Sequence, residues 1–270
     1  MRVALASDLH LEQNQLDCPS ENTGNADLLI LAGDICDLSM IRYDIHGLIE
    51  KSVSVGRTID WFMNISDEFE QIIWVFGNHE YYDGDLATAR NEYQKFLEYH
   101  GIKNIRILED ESVVIGNTEI VGSTLWTDFK KRDPQVMWDC QRGMSDYRYI
   151  KINGRKLTAE DIADKHDASV QYIKNKVTSS DKDLIIVTHH QPTWFKAKLE
   201  HGLGTINHAY YSELCDVIMD NTDKISHWLS GHTHSNRDDY LEKTRLVTNC
   251  RGYYGYETMA YDFKFTYFDV

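Results

Sequence analysis

The run Gln71-Ile72-Ile73-Trp74-Val75-Phe76 stops abruptly at Gly77-Asn78-His79-Glu80. An unbroken apolar run with β-branched and aromatic members, ended by glycine, reads as a strand covered on both faces, because neither face can be left to water. Ligand sites in open α/β sheets gather at the carboxyl ends of such strands. The pattern recurs along the chain. Val3 to Ala6 leads into Ser7-Asp8-Leu9-His10, Leu28 to Ala32 into Gly33-Asp34, Leu184 to Thr188 into His189-His190, and Ile225 to Ser230 into Gly231-His232-Thr233-His234. Taken singly, most of these tails have an ordinary reading as a polar turn or a helix cap. The last is the least ordinary, since two imidazoles one residue apart after a strand and a glycine meet near one point, and a structural histidine has no reason to do so.

Between the strands lie helical patterns. Met40 to Phe69 carries apolar residues at helical spacing, enough for one or two helices that cover a sheet. Asp85 to His100 reads as a further amphipathic helix stopped by Gly101, and Thr158-Ala159-Glu160-Asp161 as the capped start of another that runs to about Val177. A shorter helix is expected from about His208 to Met219, after a polar loop at 193–207 with Lys196, Lys198 and His201. Three strand-like runs at Ile105–Leu108, Ser112–Ile115 and Glu119–Gly122, the last two joined by Gly116-Asn117, bring a meander into an α/β chain and point to two sheets. Closing strands are expected at Leu246–Asn249 and from Ala260 to Val270. The weakly patterned stretch at about 127–157 reads as an insertion in a single domain over 1–270, with aromatic and basic residues suited to a substrate wall.

Composition narrows the partners. Twenty-eight Lys+Arg against 43 Asp+Glu give a formal charge of -15, which repels long nucleic acid over the surface as a whole. No run approaches membrane-spanning length. The five cysteines are odd in number, scattered and without CxxC spacing, so a reducing cytoplasm is the expected location.

The strand ends together offer Asp8 and His10, Asp34, Asn78 and His79, His189, and His232 and His234. Oxygen and nitrogen donors without a thiolate suit Mn²⁺, Fe or Zn²⁺, and they outnumber what one tetrahedral ion needs. Two ions that share one carboxylate would use them, as in metal-assisted phosphoryl transfer. The order Asp-x-His, Gly-Asp, Gly-Asn-His-Glu, His, Gly-His-x-His resembles the calcineurin-like metallophosphoesterase superfamily from Val3 to His234. Ser7-Asp8-Leu9-His10-Leu11-Glu12, Thr124-Leu125-Trp126-Thr127 and Gly252-Tyr253 resemble a subgroup of uncharacterised bacterial and phage phosphohydrolases.

The resemblance implies a four-layer α/β/β/α fold of two mixed sheets flanked by helices. It also implies a hydrolase with a dinuclear metal site and a metal-activated water. Asp8, His10 and His234 would bind one ion and Asn78, His189 and His232 the other, with Asp34 as the bridge. His79 would act on the leaving oxygen, while Glu80 and Asp37 would orient His79 or the ligands. One departure stands out. The protein serine/threonine phosphatases of the superfamily carry Asp-Arg-Gly where this chain has Asp37-Leu38-Ser39, so their phosphate-gripping arginine is missing and Arg148 or Arg251 is left to replace it. The expected substrate is a small phosphodiester, stacked against Trp126, Phe129, Trp138, Tyr147, Trp194, Tyr253 and Tyr254, with Lys130 near. The alternatives are a nuclease or phosphomonoesterase of the same superfamily and, from another class, a non-catalytic binding module. Such a module has no need to keep all seven ligand positions filled.

Overall fold

Side chains on a strand alternate between its two faces, and when both faces are apolar a second layer must cover each. The computed structural model describes residues 1–13, 18–45, 53–194 and 204–270. In chain order these form β1 (Arg2–Ala6), β2 (Leu28–Ala32), α1 (Leu38–Ile45), α2 (Val53–Glu68), β3 (Gln71–Val75), β4 (Gly84–Asp85), α3 (Ala89–Tyr99), β5 (Ile105–Leu108), β6 (Glu111–Ile115) and β7 (Thr118–Ser123). There follow α4 (Pro134–Gly143), α5 (Asp146–Tyr149), β8 (Ile150–Ile152), β9 (Arg155–Lys156), α6 (Ala159–Ser179), β10 (Asp183–Thr188), α7 (Cys215–Met219), β11 (Ile225–Ser230), β12 (Arg237–Leu241), β13 (Thr244–Thr248) and β14 (Thr266–Asp269).

One sheet has the order β14-β1-β2-β3-β5, parallel except at β14. The other has the order β12-β13-β11-β10-β7-β6, parallel at its centre and antiparallel at both edges. Val3, Leu5, Ile30, Ile73 and Val75 of the first meet Ile185, Val187, Leu229 and Val247 of the second in a dry aliphatic layer. The alternate residues Ala4, Leu31, Ile72 and Trp74 turn outward onto Phe62 of α2 and Tyr93 and Phe96 of α3. On the far side Leu184, Ile186 and Trp228 pack on Ile173 and Val177 of α6 and Ile218 of α7. The result is the four-layer α/β/β/α arrangement. Each buried aliphatic side chain contributes roughly 1.5–3 kcal/mol, so the layer between the sheets is a stiff base for whatever the strand ends carry.

α6 begins with the expected capping box, in which the Thr158 hydroxyl and the Asp161 carboxylate each accept from the other's backbone N–H. Elsewhere the structure differs from expectation. The helix expected over 208–219 is split into a 3-10 turn at Thr205–Ala209 and the short α7, because Tyr211 bridges Gln191 and Ser212 and Leu214 donate to the carbonyls of Gln191 and Pro192. Ala260 lies in a 3-10 turn rather than a closing strand, and β12 is an additional hairpin partner of β13. The stretch 127–157 is ordered into α4, α5, β8 and β9, and β8 and β9 form a small sheet with β4 from outside it. Phe129 to Arg132 coil left-handedly, all four with positive φ, and Arg132 is pinned there by Glu160, Asp164 and Asp167. Lys196, Lys198 and His201 lie outside the described residues. No helix among the described residues is long and apolar enough to cross a membrane.

His227 on β11 stacks on Phe268 with ring centroids 5.3 Å apart. Burial, aided by Arg245, lowers its pKa from 6.5 to about 4. The unfolded chain therefore takes up this proton first as pH falls, so the stabilisation is complete above pH 6.5 and is lost on the way down to about 4. His227→Gln is expected to flatten the fall in stability over that window, measured as urea midpoints between pH 7 and 4. An unchanged pH slope would refute the assignment.

Candidate metal centre

The carboxyl ends of β1, β2 and β3 in one sheet and of β10 and β11 in the other meet at one rim, and the polar tails foreseen from the sequence converge there. Three turns make this possible. Asp8, His10, Asp34, His232 and His234 all adopt positive φ, between 43° and 72°, a left-handed backbone that costs roughly 1–2 kcal/mol for a residue with a Cβ. The glycines before them leave room for the donors. A Cβ on Gly33 would stand 2.3 Å from His189 Nδ1, and one on Gly231 would stand 2.6 Å from Asp8 Oδ2.

Among the described residues the candidate donors fall into three groups, one of them His10, Glu12 and His79, in which Glu12 takes the outer Nδ1 of both rings. Asp8, His10 and His234 each present one ligand atom within 4.8 Å of the others, and so do Asp34, His189 and His232. His10 Nε2 and His234 Nε2 are 3.0 Å apart, and His234 Nε2 is 3.4 Å from Asp8 Oδ1. In the second group His189 Nε2 lies 3.1 Å from His232 Nδ1, 3.2 Å from Asn78 Oδ1 and 3.3 Å from Asp34 Oδ2. Asp34 Oδ2 is also 3.9 Å from His10 Nε2, which sets this carboxylate between the groups.

The outer hydrogen bonds decide which ring nitrogens can donate. His10 Nδ1 faces Glu12 at 3.1 Å, His234 Nδ1 faces Glu257 at 2.8 Å, and His189 Nδ1 faces the Ala32 carbonyl at 2.9 Å. Each of these partners only accepts, so each Nδ1 carries the proton and each Nε2 turns a lone pair inward. Asp146 does the same for Asn78. Its carboxylate accepts from Asn78 Nδ2 at 2.9 Å and from Tyr82 at 2.8 Å, so the amide oxygen faces His189. Acceptors facing acceptors at about 3 Å repel unless a cation lies between them. The donor set therefore fits a pair of divalent cations, with the second-sphere carboxylates that metal-bound imidazoles ordinarily have.

The titration behaviour follows the same geometry. Burial lowers His10 and His232, whereas His189 and His234, for which burial alone would do the same, are raised to about 9 by Asp34 and to about 10 by Asp8 and Glu257. Each imidazole pair thus holds one proton between two lone pairs. Against the opposing effect of burial, neighbouring histidines hold the carboxyls of Asp8 and Asp34 down.

His79 stands outside the two groups that Asp34 lies between and shares Glu12 with His10. Its Nε2 is 4.0 Å from Asp34 Oδ2, its ring stacks on Tyr82, and it lines a cavity of about 210 Å³ together with Asp34, Asn78, Tyr210 and Tyr253. A larger surface hollow of about 570 Å³ beside Arg90 and Ile105 contains none of these donors. Glu80 does not orient His79. Its carboxylate accepts from the backbone N–H groups of Asp34, Ile35 and Gly77, tying the β2 and β3 loops together. Asp37 accepts from Ser39 and the Met40 N–H and so caps α1 instead of reaching the site.

Neither arginine offered by the sequence lines the cavity. Arg148 is exposed, and Arg251 is fully buried and donates to the Leu9 carbonyl, because the bridge between Ser7 and Cys250 turns it under the His10 loop. Of the expected aromatic wall, Tyr253 alone lines the cavity among the described residues. Trp126 and Phe129 are core, and Trp138 lies exposed beneath Arg142. Sequence reasoning missed Glu257, Asp146, Tyr82 and Tyr210, none of which belongs to a strand-end motif. Glu12 was visible only as part of the first motif.

A model of the calcineurin-like phosphoesterase family matches residues 1–236. The chain therefore belongs to that family and is a metal-dependent phosphoesterase. It is 28% identical over 269 residues to the uncharacterized protein L509 of Acanthamoeba polyphaga mimivirus, covering 92% of this chain and 89% of the relative. Among solved structures it resembles phosphopantetheinyl hydrolase (PptH) from Mycobacterium tuberculosis, with a TM-score of 0.65 at 16% identity over 93% of this chain and 89% of the other. It also resembles a putative 5'-nucleotidase from Staphylococcus aureus, with a TM-score of 0.50 at 14% identity over 92% of this chain and 48% of the other. At these identities the structural likeness is one of fold.

Glu80→Gln would turn an amide NH₂ toward backbone N–H donors that now share a carboxylate. The expected loss is about 2–4 kcal/mol of unfolding free energy at pH 8, measured by urea denaturation. A change below the error of the measurement would show that Glu80 does not brace the two loops.

Proposed function

We propose that this chain hydrolyses small phosphodiesters at two divalent metal ions, one held by Asp8, His10 and His234, the other by Asn78, His189 and His232, with Asp34 shared between them. The observation that carries this reading is the inward convergence of lone pairs described above, in which each imidazole pair and the Asp34 carboxylate want a cation in common. When bound, such ions acidify water and neutralise charge on phosphoryl oxygens.

The chain's own residues do the rest. His79 lines the cavity with its Nδ1 tied to Glu12, so its Nε2 is the atom directed to the leaving oxygen, where it delivers a proton. Its pKa, which burial alone would lower, is raised to about 9 by Asp34 and Glu12, so the proton is present at neutral pH. Tyr82, Tyr210 and Tyr253 supply flat walls for an organic substituent. No Lys or Arg lines the cavity among the described residues. A doubly charged monoester would lack a guanidinium clamp there, whereas a singly charged diester needs none. The formal charge of -15 disfavours long nucleic acid as the substrate.

The test compares kcat/KM for matched mono- and diesters that share a leaving group, with saturating Mn²⁺, in wild type and His79→Ala. Wild type is expected to prefer the diester. His79→Ala is expected to lose roughly 10²–10⁴-fold with poor leaving groups and much less with good ones, as for a missing general acid. A monoester preference would overturn the substrate reading, and a loss independent of the leaving group would overturn the role of His79.

A further inference from the structure

Glu12 joins the two halves of the site through one atom. Its Oε1 accepts from His10 Nδ1 at 3.1 Å and from His79 Nδ1 at 3.0 Å, and the two rings meet edge to face with centroids 4.4 Å apart. Its other oxygen, Oε2, is buried and has no hydrogen-bond partner among the described residues. A carboxylate buried with one oxygen unsatisfied is costly, so the position is not explained as a stabilising contact. Of the other acids near His79, Asp34 accepts only its backbone N–H, and three more are engaged elsewhere. Asp37 caps α1, Glu80 holds three backbone N–H groups, and Asp146 accepts from Asn78 and Tyr82.

We propose that Glu12 is a positioning residue that fixes the Nδ1–H tautomer of His10 and the ring orientation of His10 and His79 together, and thereby couples metal occupancy to the placement of the proton donor. With both Nδ1 atoms on Glu12 Oε1, His10 Nε2 faces His234 to hold a cation and His79 Nε2 is left to the cavity and the leaving oxygen. A ligand-bound His10 cannot rotate, so Glu12 is held, and His79 is held through it. The inference rests on the function proposed above and adds that the Nδ1 of the acid is held by a residue of the β1 loop, while Asp34 of the β2 loop holds only its backbone N–H and Tyr82 stacks on its ring.

The test uses Glu12→Ala, Glu12→Gln and Glu12→Asp beside wild type. Zn²⁺ affinity is measured by titration, imidazole tautomers by ¹⁵N NMR of histidine-labelled protein, and kcat and KM with good and poor leaving groups. Glu12→Ala is expected to weaken one of two Zn²⁺ equivalents roughly 10–100-fold, to shift the ¹⁵N resonance of His79 Nδ1 from its hydrogen-bonded position, and to lower kcat with little change in KM. At saturating metal its loss should depend on the leaving group as that of His79→Ala does, and the double variant should lose no more than His79→Ala alone. Glu12→Gln keeps an acceptor oxygen in place and is expected to restore the ¹⁵N shifts and the affinity. Glu12→Asp, too short to reach both rings, is expected to behave like Glu12→Ala and serves if the alanine variant does not fold. Native imidazole ¹⁵N shifts and full Zn²⁺ affinity in both Glu12→Ala and Glu12→Asp, or a kcat loss that ignores the leaving group, would overturn the inference. Wild-type protein that binds no Zn²⁺ or hydrolyses no phosphoester would instead overturn the reading on which it rests.

Discussion

Lone pairs that face one another across about 3 Å govern this structure. His10 Nε2 meets His234 Nε2, and His189 Nε2 meets His232 Nδ1, Asn78 Oδ1 and Asp34 Oδ2, so each imidazole pair has a single proton or a cation to share. Such an arrangement is unfavourable without a shared cation, and the chain adds to the cost by holding four of these residues, and Asp8 beside them, in left-handed backbone. Strain and repulsion at one place persist only where the surroundings leave no alternative. Here the two sheets share a dry layer of Val, Ile and Leu, and the donors are fixed at the rim of that layer within four residues of their strands.

The outer contacts convert position into chemistry. Glu257, Glu12 and the Ala32 carbonyl choose the protonated nitrogen of three imidazoles, and Asp146 chooses which end of the Asn78 amide faces inward. Glu80 serves a different purpose, because it satisfies backbone donors in loops that would otherwise bury them unpaired. The site is thus preorganised by parts of the chain far apart in sequence, from the β1 loop to the turn after β13, and its electrostatics are set before any substrate arrives.

Much of this was legible in the residues. The apolar runs are strands because their β-branched and aromatic members need cover on both faces, and each was found within a residue or two of its expected bounds. The glycines before Asp34 and His232 announced turns, although the reason, a donor side chain passing where a Cβ would stand, required coordinates. The remainder was hidden for physical reasons. Glu257 sits 23 residues from His234 in a loop without periodicity, and only the fold brings them to 2.8 Å. The helix expected at 208–219 was lost because Tyr211 pairs with Gln191, a long-range contact that local spacing cannot register. Asp37 looked like a partner of the site from its closeness to Asp34, yet the start of α1 claims its carboxylate.

The central claim is that the converging donors exist to be shared by two cations, with Asp34 common to both. Elemental analysis of protein titrated with Mn²⁺, with phosphodiesterase activity followed in the same samples, tests it directly. The account predicts that activity saturates at two ions per chain, and that Asp34→Asn weakens both ions together while Asn78→Ala weakens one. Full activity with a single bound ion or none, or loss of only one ion in Asp34→Asn, would contradict it.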